Sequence, residues 1–170
     1  AVAVYVTKVP VADAFNTVQL GTDSNGGSKL QLDSNSYWGS TGVRFNVATE
    51  NLQSHFNRAS GSREFASLAL SQNLSAQTSL SVDLEYHHKH QPSVPGLGLL
   101  DTNGDGLGDT LPAPINPRLN LNDQSWSLPF EATNTVFQLG MKTRLGDVWD
   151  AQASLALQRT LVSDRIAFPD

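Results

Sequence analysis

Apolar and polar residues alternate along the chain from residue 41 to residue 161. A β-strand produces this pattern because its successive side chains point to opposite faces of a sheet. The clearest example is the segment 79–86, where leucine, valine and tyrosine occupy the even positions and serine, aspartate and glutamate the odd ones. One face of the sheet is therefore expected to be apolar and the other polar.

The alternation predicts seven strands, near residues 13–22, 28–34, 41–51, 63–74, 78–90, 132–144 and 148–162. Most of them reach roughly ten residues or more, whereas strands of soluble proteins average about 5–6 and tilted membrane strands need about 9–11. No segment shows helical periodicity. The predicted fold is all-β: an antiparallel up-and-down meander that forms part of a transmembrane β-barrel.

The predicted connections are unequal at the two ends of the strands. Tight turns are expected at 37–40, 75–77 and 146–148, and longer loops at 51–62 and about 91–131. Bacterial outer-membrane barrels combine short periplasmic turns with long extracellular loops. Trp38 and Trp149 then fall at the periplasmic rim, where amphipathic rings suit the membrane interface.

Composition narrows the function classes. The formal net charge of −5 makes nucleic acid an unsuitable partner, and the absence of cysteine excludes disulfides and thiolate chemistry. No run approaches the roughly 18 apolar residues of a membrane helix. The chain has no nucleophile elbow and no glycine-rich phosphate loop, and Asp83 and Glu85 repeat along one strand, so an enzyme is not expected.

A water-soluble antiparallel sandwich is the alternative interpretation. Its strands also alternate, with the apolar residues packed inward and the polar residues in water. Periodicity alone does not separate the two folds. Strand length and the asymmetry of the connections favour the barrel.

Several segments carry a family resemblance: Tyr5–Pro10, Arg44–Ala48, Asp83–Tyr86 and Gln91–Gly96, followed by Leu111, Pro112, Trp126 and Ala167–Pro169. Their order and spacing resemble those of TonB-dependent siderophore receptors. In that comparison Tyr5–Pro10 looks like the junction between the N-terminal plug and the barrel. Arg44–Ala48 looks like an early barrel strand.

The resemblance implies that residues 1–10 end the plug and residues 11–170 begin the barrel, with a long extracellular loop at about 91–131. Such receptors have barrels of about 22 strands, so the chain is expected to be a fragment. The implied function is active uptake of a ferric siderophore across the bacterial outer membrane. The implied partners are membrane lipid, lipopolysaccharide and, through a missing N-terminal part, the TonB–ExbB–ExbD complex.

Candidate ligand-binding residues lie in or near the predicted outer loops: His87, Lys89, Gln91, Arg58, Arg63 and Trp126. Cations and aromatic faces suit an anionic, often aromatic iron chelate. Simpler roles remain open, namely a solvated strand end for the histidines and, for the arginines, lipopolysaccharide phosphates or pairing with Glu64. Other inward polar groups are expected to form a lumen network that holds the plug: Arg44, Glu50, Asp83, Glu85 and Lys142.

The segment Asp101–Asp109 begins like a calcium-binding loop, with oxygen ligands expected at Asp101, Asn103, Asp105 and Asp109. Pro112 stands where an EF-hand has its closing glutamate, and no helices flank the loop, so an EF-hand is excluded. A weak, partly hydrated calcium site and a polar Gly/Asp-rich turn both stay open. The alternative function is accordingly a soluble all-β binding or adhesion module stabilised by calcium.

Overall fold

The computed structural model of the chain describes residues 7–96, 98–110 and 116–166. They form seven strands: β1 Phe15–Thr22, β2 Ser28–Trp38, β3 Thr41–Leu52, β4 Gly61–Asn73, β5 Thr78–Gln91, β6 Leu128–Leu145 and β7 Trp149–Arg165. Each strand pairs antiparallel with the next in one sheet. The all-β prediction and the antiparallel meander are confirmed.

Two strands extend four residues beyond a predicted end. β2 continues past residue 34 to Trp38, and β6 begins at Leu128 rather than at 132. The run Ser34, Asn35 and Ser36 is polar on both faces, so it shows no alternation, yet its backbone pairs with β3 from Phe45 to Val43. Pairing with a neighbour therefore extends β2 where its side chains carry no signal.

The register separates the two faces of the sheet. Phe45, Leu68, Leu84, Phe137 and Leu157 are direct neighbours across β3 to β7. The row that contains Asp33 instead joins polar residues, since Asp33 pairs with Asn46, Asn46 with Ser67 and Ser67 with Glu85. We call these the apolar face and the polar face.

The apolar face is open. Leu84, Leu139, Leu155 and Leu157 are between 38% and 59% exposed, and the buried apolar residues among those described are only Ala59 and Ala69. In the described part of the chain no second layer covers this face. A sandwich core would enclose these leucines, because burial in a soluble protein removes apolar surface from water.

The connections fall into two groups at opposite ends of the strands. Residues 23–27, 53–60 and 92–127 join strands at one end, which we call the loop end, and residues 39–40, 74–77 and 146–148 at the other, the turn end. Gly39 and Gly146 have positive φ values of 60° and 77° at two of the short turns, a conformation that glycine adopts without strain. The predicted asymmetry of the connections is present.

Within the described residues there is no helix of the length and apolarity that crossing a membrane requires.

Candidate functional site

A charged cluster lies on the polar face near the middle of β2 and β3. Arg44 donates from Nε to Asp33 Oδ1 at 3.0 Å and from Nη2 to Asp33 Oδ2 at 2.9 Å. Lys8 Nζ lies 2.7 Å from the same Oδ2 and also donates to Asn46 Oδ1 at 3.1 Å. The two cations compensate the Asp33 carboxylate, which is 8% exposed.

The cluster holds the segment that precedes β1 against the sheet. Arg44 Nη1 donates to the carbonyl oxygen of Val9, and Asn35 forms hydrogen bonds with the backbone of Val11 and Asp13. Residues 7–13 therefore lie on the polar face. Residues 1–6, which complete the predicted plug end, lie outside the described residues, and a role as the plug end stays a prediction.

A second charged cluster lies closer to the loop end of the same face. Glu50 accepts hydrogen bonds from Nε of Arg63 at 2.9 Å and from Nη2 of Arg63, and Lys29 Nζ lies 3.3 Å from Glu50 Oε1. The three side chains border a cavity of about 240 Å³ that Phe65 and His87 also line. Lys89 lies beside Arg63 in the register of β4 and β5.

Three of the predicted ligand-binding residues therefore come together. Arg63, His87 and Lys89 share the loop end of the polar face, whereas His88 and His90 lie on the opposite face, as the alternation predicted. His88 Nδ1 lies 3.0 Å from Thr133 Oγ1. Arg63 pairs with Glu50 and not with Glu64, because Glu64 is on the apolar face.

The other three lie in or beside the loops. Gln91 Nε2 donates to the carbonyl oxygen of Ala59 at 3.1 Å, and Arg58 Nη1 donates to both carboxylate oxygens of Asp123. Trp126 is 52% exposed in the loop before β6. Arg58 therefore joins residues 53–60 to residues 116–127, and Gln91 joins residues 53–60 to the end of β5.

The other polar residues that were expected to face inward lie on the polar face of the sheet. Asp83 and Glu85 line a larger cavity of about 530 Å³ together with Lys8, and Lys142 pairs in register with Ser79 near the turn end. Lys29 was not among the predicted site residues. Its alternation with Gln31 and Asp33 was the signal that could have placed it on the polar face.

The segment Asp101–Asp109 forms a tight turn stabilised by its own side chains. Asp101 accepts hydrogen bonds from the N–H groups of Gly104 at 2.7 Å and Gly106 at 2.8 Å, and these bonds lower the pKa of its carboxyl. Asp105 accepts from the N–H of Leu107 at 2.8 Å. No group of three His, Asp or Glu side chains among the described residues is arranged to hold a metal ion. Calcium binding stays a prediction.

Comparisons with protein-family models, with curated proteins and with solved structures found no match to this chain. Of the segments that carry the family resemblance, Tyr5, Val6, Leu111, Pro112 and Ala167–Pro169 lie outside the described residues.

Proposed function

We propose that this sheet is part of the wall of an outer-membrane β-barrel, and that the whole protein is a TonB-dependent receptor that takes up ferric siderophores. In this arrangement the apolar face contacts lipid and the polar face borders the lumen. The observation that supports the membrane assignment best is the oblique course of the apolar residues across the strands.

On the first two strands the outward apolar residues lie toward the loop end. They are Val18 and Leu20 on β1 and Leu30 and Leu32 on β2. The ladder row through Leu30 continues into polar residues, because Leu30 pairs with Thr49, Thr49 with Glu64 and Glu64 with His88. His88 pairs in turn with Thr133, so β3 to β6 contribute no apolar residue to this row, and an apolar residue returns to it at Leu161 on β7, beyond Arg159.

On the last strand the outward apolar residues lie toward the turn end. The row through Gln19, midway between Val18 and Leu20, reaches Thr160 on β7. The uninterrupted apolar run on β7, however, extends from Trp149 to Leu157, ends before Arg159 and is centred on Ala153. The centre of the apolar band has moved by about seven residues across the sheet, or about 1.2 residues per strand.

This displacement corresponds to a definite tilt. Each residue rises about 3.3 Å along a strand, and neighbouring strands are about 4.8 Å apart. A shift of about 1.2 residues per strand therefore means that the strands are tilted by roughly 40° from the perpendicular to the apolar band. Transmembrane β-barrels have strands tilted by about 35–45°. A level hydrocarbon layer that crosses tilted strands requires an oblique band of this kind, so the pattern supports a membrane wall.

The edges of the sheet and the segment before β1 are consistent with a larger barrel. Among the described residues β1 pairs only with β2 and β7 only with β6, and β1 and β7 run in the same direction. Two strands that run in the same direction cannot pair antiparallel, so a closed antiparallel barrel needs further strands between β7 and β1.

The contacts of Lys8, Val9 and Val11 with the polar face support the interpretation of residues 7–10 as the exit of a plug.

Refolding in the presence and absence of lipid tests the membrane assignment. The chain is diluted from urea into buffer, into detergent and into phospholipid vesicles, and is then floated on a density gradient. We expect β-structure only with detergent or vesicles, and flotation only with vesicles. A monodisperse folded species in buffer alone, with a melting temperature that rises with calcium, would support the soluble module instead.

The uptake assignment needs the intact protein in its own cell. We expect deletion of the gene to abolish accumulation of radiolabelled iron from one class of ferric chelate, and to leave other classes unaffected. Dissipation of the inner-membrane proton gradient should also abolish accumulation of that class, because the resemblance implies energy supply through TonB. Unchanged uptake of every chelate would contradict the assignment.

A further inference from the structure

Four charged side chains lie in one ladder row at the loop end of the polar face. Lys29 pairs in register with Glu50, Glu50 with Arg63, and Arg63 with Lys89. We call these four residues the basic row. Three cations and one carboxylate give it an excess of positive charge, in a chain whose formal net charge is −5.

Glu50 lies beneath two of the cations and orients them. Its side chain is 12% exposed, whereas those of Lys29 and Arg63 are 44% and 45% exposed. A guanidinium has five N–H donors, and the Nε and Nη2 groups of Arg63 are the ones that contact Glu50. Arg63 therefore keeps donors for a second anion while its position is held from below.

Lys89 adds a cation without an acidic partner among the described residues. Its Nζ lies 5.9 Å from the centroid of the Phe130 ring. The adjoining cavity of about 240 Å³ is lined by Phe65, His87 and Gln31 in addition to Lys29, Glu50 and Arg63 of the basic row. Positive charge beside an aromatic wall and an amide suits a flat, negatively charged aromatic group.

We infer that the basic row binds an anionic aromatic arm of the transported chelate, such as one catecholate of a ferric tris-catecholate. The inference rests on the proposed function, because it is the barrel that turns the polar face toward a lumen beneath the loops. To that function it adds the chemical class of the transported chelate. A ferric tris-catecholate carries three negative charges and a ferric tris-hydroxamate carries none, so the basic row selects the former.

Equilibrium dialysis of the full chain refolded in detergent tests this selection. The probes are iron(III) tris-catecholate and uncharged iron(III) tris-hydroxamate at equal concentrations. We expect binding of the charged complex to be about tenfold tighter or more, as loss of a charge-assisted contact predicts. Arg63→Ala and Lys89→Ala should each weaken it several-fold and leave binding of the uncharged complex unchanged.

Two further variants separate a formed site from general positive charge. Lys142→Ala removes a cation from the same face near the turn end and should leave binding unchanged. Glu50→Gln raises the net positive charge, so diffuse attraction predicts tighter binding, whereas a positioning role for Glu50 predicts weaker binding. Equal affinity for both complexes, or equal losses in Lys142→Ala and Lys89→Ala, would overturn the inference.

Vesicle flotation of the same preparations distinguishes the two proposals. If the chain floats with vesicles but does not prefer the charged complex, the selectivity inference fails and the membrane assignment stands. If the chain folds in buffer and does not float, the proposed function itself fails.

Discussion

Asn35 holds the backbone of Val11 through a closed pair of hydrogen bonds. The Val11 N–H donates to Asn35 Oδ1 at 3.1 Å, and Asn35 Nδ2 donates to the Val11 carbonyl oxygen at 2.8 Å. The same Nδ2 donates to the carbonyl oxygen of Asp13 at 2.7 Å, and Asn35 is only 1% exposed. One side chain of β2 thus determines where the chain enters the sheet.

Replacement of this side chain should release the entry segment. Asn35→Ala leaves the backbone groups of Val11 and Asp13 without their partner, which we expect to lower the free energy of unfolding by about 2–3 kcal/mol. Limited proteolysis should then cleave within residues 7–14 before it cleaves any strand. Asn16→Ala is the control, because the Asn16 side chain accepts a hydrogen bond from Ser34 on the apolar face and lies away from the entry segment. If residues 7–14 were cleaved equally slowly in both variants, Asn35 would not hold the entry segment.

Because the apolar band is oblique, two positions in the same ladder row should differ in how much an added charge lowers the free energy of unfolding in lipid. Leu30 and His88 lie in the same row, but only Leu30 lies inside the apolar band. We expect Leu30→Arg to destabilise the chain in vesicles by about 2–4 kcal/mol and His88→Arg by about 0–1 kcal/mol. Urea unfolding in lipid measures both. Equal costs would mean that the strands are not tilted in the membrane.

Trp38 and Trp149 should lie at one membrane interface. Both are on the apolar face at the turn end, 58% and 71% exposed. In variants that keep a single tryptophan, lipids brominated near the headgroup should quench the emission of either residue. Trp126, in the loop before β6, is the matched control and should keep its emission. Quenching of Trp126 alone would place the loop end, and not the turn end, in the bilayer.

The Asp101 turn should persist below the ordinary pKa of an aspartate. Hydrogen bonds from Gly106 and Gly104 lower the pKa of Asp101 from its ordinary value of 3.8. The stabilisation that its carboxylate gives to the turn is therefore present above that value, and is lost as the pH falls through the lower pKa of the folded chain. The amide resonances of Gly104 and Gly106 should titrate together below pH 3.8. Asp101→Asn should abolish this titration, and a midpoint at or above the ordinary value would refute the prediction.

Alternation was enough to predict the number of strands and their two faces, because each strand has a strong period of two. It could not predict the extension of β2, since Ser34, Asn35 and Ser36 are all polar and only pairing with β3 orders them. Strand pairing is a tertiary property, and it overrides a weak local pattern.

The charged clusters were predictable only in part. Arg63, His87 and Lys89 were expected near the outer end, but the contact of Arg63 with Glu50 depends on the register between β3 and β4. Arg58 and Asp123 are 65 residues apart in irregular segments, where no periodicity relates the two positions. Contacts between loops depend on the folded geometry of both, so a single sequence does not reveal them.

Spin labels on β7 can test directly whether the apolar face of the sheet contacts hydrocarbon. The chain has no cysteine, so single cysteines can be introduced directly at each position from 152 to 157 of β7 and labelled with a nitroxide. In vesicles, labels at 153, 155 and 157 should collide with oxygen dissolved in the lipid. Labels at 152, 154 and 156 should collide instead with a water-soluble nickel complex. Odd positions that are inaccessible to both reagents, or equally accessible to nickel, would contradict contact with hydrocarbon.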